Sequence, residues 1–298
     1  MKKNTKLLFY AVISMGFVVV ILSSLYADLP NKATTQYIIV DGKPVLIQDE
    51  MKLVGRYLYT LKINMGVNKL SDAVFDHCRM DGSDLEETIF VNCSFKGTYL
   101  RGSSMLDSYF PDSDFTDADI CETKSLRINA EQLQSTRSFK NKALWNTNFW
   151  SCEFSNVDFS NFNLTGVEFD DVKLSGCNFT NAHIEKVKFG TPITKEQLAS
   201  TASFQSKELI MVKFRQSDFS SMDFSSFNMT GAEFRYVNLA SADFAGAIIS
   251  RCDFYLAVNL TLDLIKSTWN YKVGRMEGIQ LPKHIQDALD AEKKANNE

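Results

Sequence analysis

Residues 70–120 read L-SDAVF-DHCRM-DGSDL-EETIF-VNCSF-KGTYL-RGSSM-LDSYF-PDSDF-TDADI. Each block of five closes on a large apolar residue: Leu70, Phe75, Met80, Leu85, Phe90, Phe95, Leu100, Met105, Phe110, Phe115 and Ile120. Two further runs, Leu144 to Phe189 and Leu209 to Phe254, keep the same register with no polar residue at any fifth position. A period of five matches neither a helix at 3.6 nor a strand at 2, so the unit is a repeat. A solenoid grows by repetition, and the 298 residues therefore carry no independent domain count. Seventeen of the 23 phenylalanines occupy these fifth positions, which assigns the aromatic excess to the repeat and not to a separate site.

Two residues before each apolar centre stands a small one, as at Ala73, Cys78, Ser83, Thr88, Cys93, Thr98, Ser103, Ser108, Ser113 and Ala118. The residue just before the centre is often acidic or Asn, as in Ser83-Asp84-Leu85, Ala118-Asp119-Ile120 and Ala242-Asp243-Phe244. This pattern resembles the pentapeptide-repeat family and covers about 31 repeats. The resemblance implies an all-β solenoid, a right-handed quadrilateral β-helix in which each pentapeptide forms one side of a square coil. Centre and small residues would point inward and the other three outward. At the sheet spacing of about 4.8 Å, 31 repeats give roughly eight coils and a rod on the order of 35–40 Å long.

The departures are organised. Phe162, Met222 and Phe227 put bulky side chains at the small position, which predicts local swelling of the square. Ile128–Phe139 matches Ile193–Phe204 at an offset of 65, and Leu260–Tyr271 is a weaker third copy. Thr194 with Gln197 has capping-box spacing and Asn129 with Gln132 approximates it, so these breaks read as short inserted helices. Leu198 and Thr201 would face the coil, and Glu131, Gln132, Glu196 and Gln197 would be open to a partner. Asp41-Gly42 between apolar stretches signals a hairpin. Pro282 to Ala295 reads as a helix that caps the last coil or pairs with a second copy. The organisation expected is a signal peptide or N-terminal membrane anchor at 1–27 and an N-terminal hairpin and cap at 28–66. The β-helix follows at 67–259, with helical breaks at 121–143 and 190–208, and a C-terminal helical cap at 260–298.

Lys2, Lys3 and Lys6 precede an apolar stretch that runs to Tyr26, and the 20 residues from Leu7 suffice to span a bilayer core. Two outcomes stay open. One is a single-pass transmembrane helix with the body outside the cytoplasm, the orientation the basic flank favours. The other is a signal peptide cleaved near Ala27, which leaves a periplasmic or secreted chain. Either way the expectation is the cell envelope. Beyond residue 27 the chain carries 29 bases against 36 acids, a net of −7, which argues against a nucleic-acid reader.

Chemistry-bearing motifs are not found in the sequence. Cys78, Cys93, Cys152, Cys177 and Cys252 fall at the inward small position and read as buried free thiols, with Cys121 outside the pattern. No CxxC or Cys/His cluster has metal spacing. His77, His183 and His284 are scattered. The carboxylate pairs Asp114/Asp119 and Asp218/Asp223 recur because the template repeats. The same holds for the sequons at Asn163, Asn178 and Asn228, while Asn92 and Asn259 begin two more. No catalytic, cofactor-binding or metal residue is therefore assigned. The function expected is a non-enzymatic scaffold or protein-interaction module with an unidentified protein partner and no nucleic acid. The family resemblance adds two alternatives, a DNA mimic acting on a topoisomerase and a secreted effector.

Overall fold

A centre residue is followed two positions later by a residue in the left-handed region. Asp72, His77, Gly82, Glu87, Asn92, Gly97, Gly102, Asp107, Asp112 and Asp117 all have φ between +51° and +71°. Gly, Asn and Asp tolerate this region best, which explains their frequency there. The next residue, the small one, returns its N–H to the centre carbonyl: Cys78 N to Phe75 O at 3.1 Å, Ser103 N to Leu100 O at 3.0 Å and Val157 N to Phe154 O at 3.0 Å. The result is a tight turn every five residues, and four such turns close a square.

A computed structural model describes residues 43–59, 61 and 69–297, together with the short strand segments 13–14, 17–18 and 37–40. The expected anchor or signal at 1–27 lies outside the described residues apart from those two-residue segments. Among the described residues no helix is long and apolar enough to cross a membrane. Tyr37–Val40 and Lys43–Leu46 pair antiparallel, with Val40 opposite Lys43.

Successive coils stack in parallel at a 20-residue offset, as in Val74↔Ser94↔Asp114 and Tyr99↔Asp119. The described chain is thus a quadrilateral β-helix. Its four inward columns carry Leu70 on the first face, Phe75 on the second, Met80 on the third and Leu85 on the fourth. All of these centres are fully buried. On the fourth face Phe149, Phe169, Phe189, Phe214, Phe234 and Phe254 form one column, with ring centroids 5.0–6.0 Å apart. Outside that column lies a five-stranded parallel sheet. The fourth face has ten rungs, through Asp84, Ser104, Lys124, Asn148, Glu168, Lys188, Lys213, Glu233, Asp253 and Gln280. Nine steps of about 4.8 Å make a rod of roughly 43 Å. It exceeds the count from pentapeptides because helix-bearing sides complete coils that the motif does not register. At the other end, Lys52 bridges Val74 and Tyr57 bridges Arg79, so pairing also extends N-terminally of Leu70.

Among the described residues three helix pairs interrupt the turns: α1 Ala130–Ser135 with α2 Arg137–Lys140, α3 Lys195–Ala199 with α4 Ala202–Gln205, and α5 Leu262–Ser267 with α6 Trp269–Lys272. Each pair replaces one side of a coil, always on the second face. The register shows this. Arg137 N bonds Ala118 O, Ala202 N bonds Ala182 O and Trp269 N bonds Ala247 O, and each acceptor immediately precedes a third-face centre by two residues. The fourth-face step from Lys188 to Lys213 is 25 residues, where two ordinary coils take 20 each. The 65-residue super-repeat is therefore three coils, and the helix pairs recur about 14 Å apart along one face. At the C-terminus α7, Lys283–Asn297, buries Ile285 and Leu289 within the same chain, and Glu292 pairs with Lys266 of α5.

Candidate interaction surfaces

The polar residues of the repeat have structural work. Ser103 Oγ donates to Met80 O at 2.7 Å and accepts from Ser83 N at 3.2 Å. Thr98, Ser108 and Ser113 donate in the same way to Phe75, Leu85 and Phe90. The cysteines take the hydroxyl's role. Cys93 Sγ reaches Leu70 O at 3.4 Å, Cys177 reaches Phe154 O at 2.9 Å and Cys252 reaches Met229 O at 2.8 Å. They are thus weak donors in an interior ladder as well as apolar fillers. All six are free and buried. Burial pushes the thiols of Cys152 and Cys252 up to about 12, and those of Cys93, Cys121 and Cys177 to about 11.

The acid or Asn before each centre accepts the backbone N–H two residues on. Asp158 Oδ1 takes Ser160 N at 2.9 Å, Asp218 takes Ser220 N at 3.0 Å and Asn163 takes Thr165 N at 3.0 Å. These are Asx turns, and they explain both the carboxylate rows and three of the sequons. Asp119 is held by Cys121 N at 3.2 Å and by the Ser138 hydroxyl at 3.2 Å. The members of each carboxylate pair thus serve separate turns. An Asp-x-Ser/Thr spacing was the available sign of this role. His77, His183 and His284 are exposed and lie apart. His183 sits over Asn163 on the third face, in a shallow groove with Glu185, Glu208 and Ser206. Among the described residues no group of His, Cys, Asp or Glu is arranged to hold a metal ion.

The helix pairs correct one sequence expectation. Asn129 and Thr194 are capping-box residues, yet Gln132 and Gln197 are not free surface groups. Gln132 Nε2 donates to Phe110 O and Ser113 O, both at 2.8 Å, and Gln197 Nε2 donates to Leu174 O and Cys177 O at 2.9 and 3.1 Å. Each glutamine sutures its helix to the coil beneath, leaving Glu131 and Glu196 as the exposed pair. A second tooth was invisible in sequence. Ser138 Oγ accepts Ile120 N at 2.9 Å, Ser203 Oγ accepts Ile184 N at 3.0 Å and Asn270 Oδ1 accepts Ile249 N at 2.7 Å. They satisfy centre N–H groups that an ordinary coil would pair with backbone. Leu198 and Thr201 face the coil as expected. Phe162 and Phe227 fill the room beside the inserts, each with its ring 4.8 Å from Phe139 or Phe204.

The third face carries a different surface near its N-terminal end. Tyr57, Arg79, Tyr99 and Asp119 stand on successive rungs. The Arg79 guanidinium lies 3.9 Å from the Tyr99 ring centroid and that of Arg137, from α2, lies 5.1 Å from the same centroid. One step over, Arg101 stacks on Trp145 at 4.3 Å and pairs with Glu122. The fourth face is instead neutralised by its own ions, Lys188 with Asp170 and Lys213 with Glu233, both at 2.7 Å.

A sequence model described as pentapeptide repeats matches residues 69–107, 88–124, 144–189 and 213–251. No curated protein matches the chain. Among solved structures, similarity is found to HetL, a pentapeptide repeat protein involved in heterocyst differentiation regulation from the cyanobacterium Nostoc sp. strain PCC 7120. It is 16% identical over 71% of this chain and 90% of that one, with a TM-score of 0.30. QnrB1, a plasmid-mediated fluoroquinolone resistance protein, is 19% identical over 83% of this chain and 97% of that one, with a TM-score of 0.26. A pentapeptide repeat protein from the Arabidopsis thaliana thylakoid lumen is 12% identical over 51% and 70% respectively, with a TM-score of 0.13.

Proposed function

We propose, from the premise that this chain belongs to the pentapeptide-repeat family, that it is a non-enzymatic protein-interaction scaffold held at the cell envelope by its N-terminal segment. One observation carries the reading. The repeat's hydroxyls, thiols and pre-centre carboxylates are committed to holding the coil, while three helix pairs stand at equal spacing on one face of a rigid rod. Such a rod offers periodic surface in place of a convergent reactive centre.

Charge favours a scaffold over a DNA mimic. Duplex DNA carries one negative charge per about 1.7 Å, so a rod of roughly 43 Å would need on the order of 25 charges. The chain beyond residue 27 has a net of −7. The test is fractionation of a C-terminally tagged chain in its native cells, with the size read on a gel. Membrane or extracytoplasmic recovery supports the envelope reading, and a full-length soluble cytoplasmic protein overturns it. For the scaffold itself, crosslinked partners should be lost in an E131K/E196K variant whose far-UV spectrum is unchanged. Failure to recover any partner by crosslinking at any face would defeat it.

A further inference from the structure

We infer that the arginine–aromatic ladder at the N-terminal end of the third face is the docking surface for a carboxylate-bearing segment of a partner protein. The inference rests on the scaffold reading and adds a second contact beside the helix pairs. Tyr57 is 68% exposed and Tyr59 42%, and they flank a column in which Arg79 and Arg137 stack on Tyr99 and Arg101 stacks on Trp145. Tyr, Trp and Arg are the residue types that dominate binding energy at protein interfaces.

The electrostatics specify the occupant. Glu122 is engaged by Arg101 and Asp119 by Ser138 and the Cys121 amide. Arg79 and Arg137 make no ion pair among the described residues, although Asp81 lies near Arg79 and Asp117, itself paired with Lys140, lies near Arg137. The guanidinium carbons of Arg79 and Arg137 lie over the Tyr99 ring at 3.9 and 5.1 Å, and a guanidinium held on a ring keeps its N–H donors in its own plane, the geometry that receives a carboxylate bidentately. The β-rung under Arg79 and helix α2 under Arg137 hold both groups at little ordering cost. A polyphosphate or anionic membrane is the poorer fit. The whole chain is acidic, with 36 acids against 32 bases, so a large anion is repelled at range where a short acidic segment meets only the local patch.

The test uses the full chain and a fluorescein-labelled oligoglutamate peptide, read by anisotropy at low salt. The wild type should bind it, and R79A/R137A should weaken binding by at least about tenfold. A K173A/K213A control on the first and fourth faces should leave it unchanged. If the alanine double lowers the melting temperature, R79K/R137K keeps the charges while losing the forks, and should still weaken binding severalfold. Equal loss in R79A/R137A and K173A/K213A, no loss in R79A/R137A, or a preference for phosphatidylglycerol vesicles or inorganic phosphate over the peptide would overturn the assignment. Photo-crosslinkers at Tyr57, Lys173, Lys213 and Asp243 in cells separate this surface from the broader scaffold reading. A Tyr57 adduct competed away by oligoglutamate supports both. Adducts only from the other positions overturn this surface and leave the scaffold standing, and none at all overturns both.

Discussion

Replacing Gln197 with glutamate separates two accounts of the inserted helices. Gln197 N donates to Thr194 Oγ1 at 3.1 Å and Gln197 Oε1 accepts Thr194 N at 2.9 Å. Glutamate would preserve both bonds, and the capping box accepts either residue. Viewed as an isolated helix, Q197E is therefore neutral. In the solenoid Nε2 also donates to Leu174 O at 2.9 Å and Cys177 O at 3.1 Å. Glutamate loses both donors and sets a carboxylate oxygen against two carbonyl oxygens. At about 1 kcal/mol for each lost hydrogen bond, the cost is at least about 2 kcal/mol. Repeat arrays can open locally, so the sharper assay is hydrogen–deuterium exchange of amides 194–206 read by mass spectrometry. Exchange there should quicken on the order of thirtyfold, since 1.4 kcal/mol is tenfold. Exchange within roughly threefold of wild type would refute the suturing role. Q132E provides the same measurement one super-repeat earlier.

Four further outcomes are expected. Iodoacetamide at neutral pH should leave all six thiols unmodified in the native chain and modify them in urea, because the buried thiols hold pKa values as high as about 12. Native-state labelling detected by intact mass would contradict this. Phe234→Ala opens the fourth-face aromatic column between Phe214 and Phe254 and should cost about 3–5 kcal/mol by denaturant titration. Ser103→Ala should cost about 1–2 kcal/mol, whereas Ser103→Cys should recover much of it because Cys93 and Cys252 already serve that role. Finally, the Ser160 N–H lowers the Asp158 carboxyl, the Ser220 N–H that of Asp218, and the Ser225 hydroxyl and N–H that of Asp223. A depressed native value means that the unfolded chain binds more protons between its own value near 3.8 and the native one. Stability from these turns is thus present above that range and lost as pH falls through it. A D218N/D223N variant, which keeps the acceptor oxygens, should show a shallower acid loss of melting temperature.

The fold was readable because its determinant is local. A centre every five residues, a small residue two before it and Gly, Asn or Asp two after it state the turn, the inward column and the corner in each short block. Gln197 marks the limit of such reading. Its spacing to Thr194 reveals the capping box, and nothing nearby reveals that its amide spans to Leu174, 23 residues earlier. Ser138, Ser203 and Asn270 align across the three inserts, but the alignment does not reveal that they receive the N–H groups of Ile120, Ile184 and Ile249 from the previous coil. The hydroxyl-to-thiol equivalence of Ser103 and Cys252 likewise depends on what lies beneath each in the previous coil.

By itself the sequence determined that the chain coils, how its core is filled and where short helices interrupt it, because each of these follows from contacts within a few residues or from strict repetition. Tertiary structure alone decided that the helix pairs share one face, since the three-coil super-repeat depends on how many residues each insert adds to its coil. It also decided that Arg79, Tyr99 and Arg137 meet, since they are brought together by stacking across rungs and no local spacing records that neighbourhood.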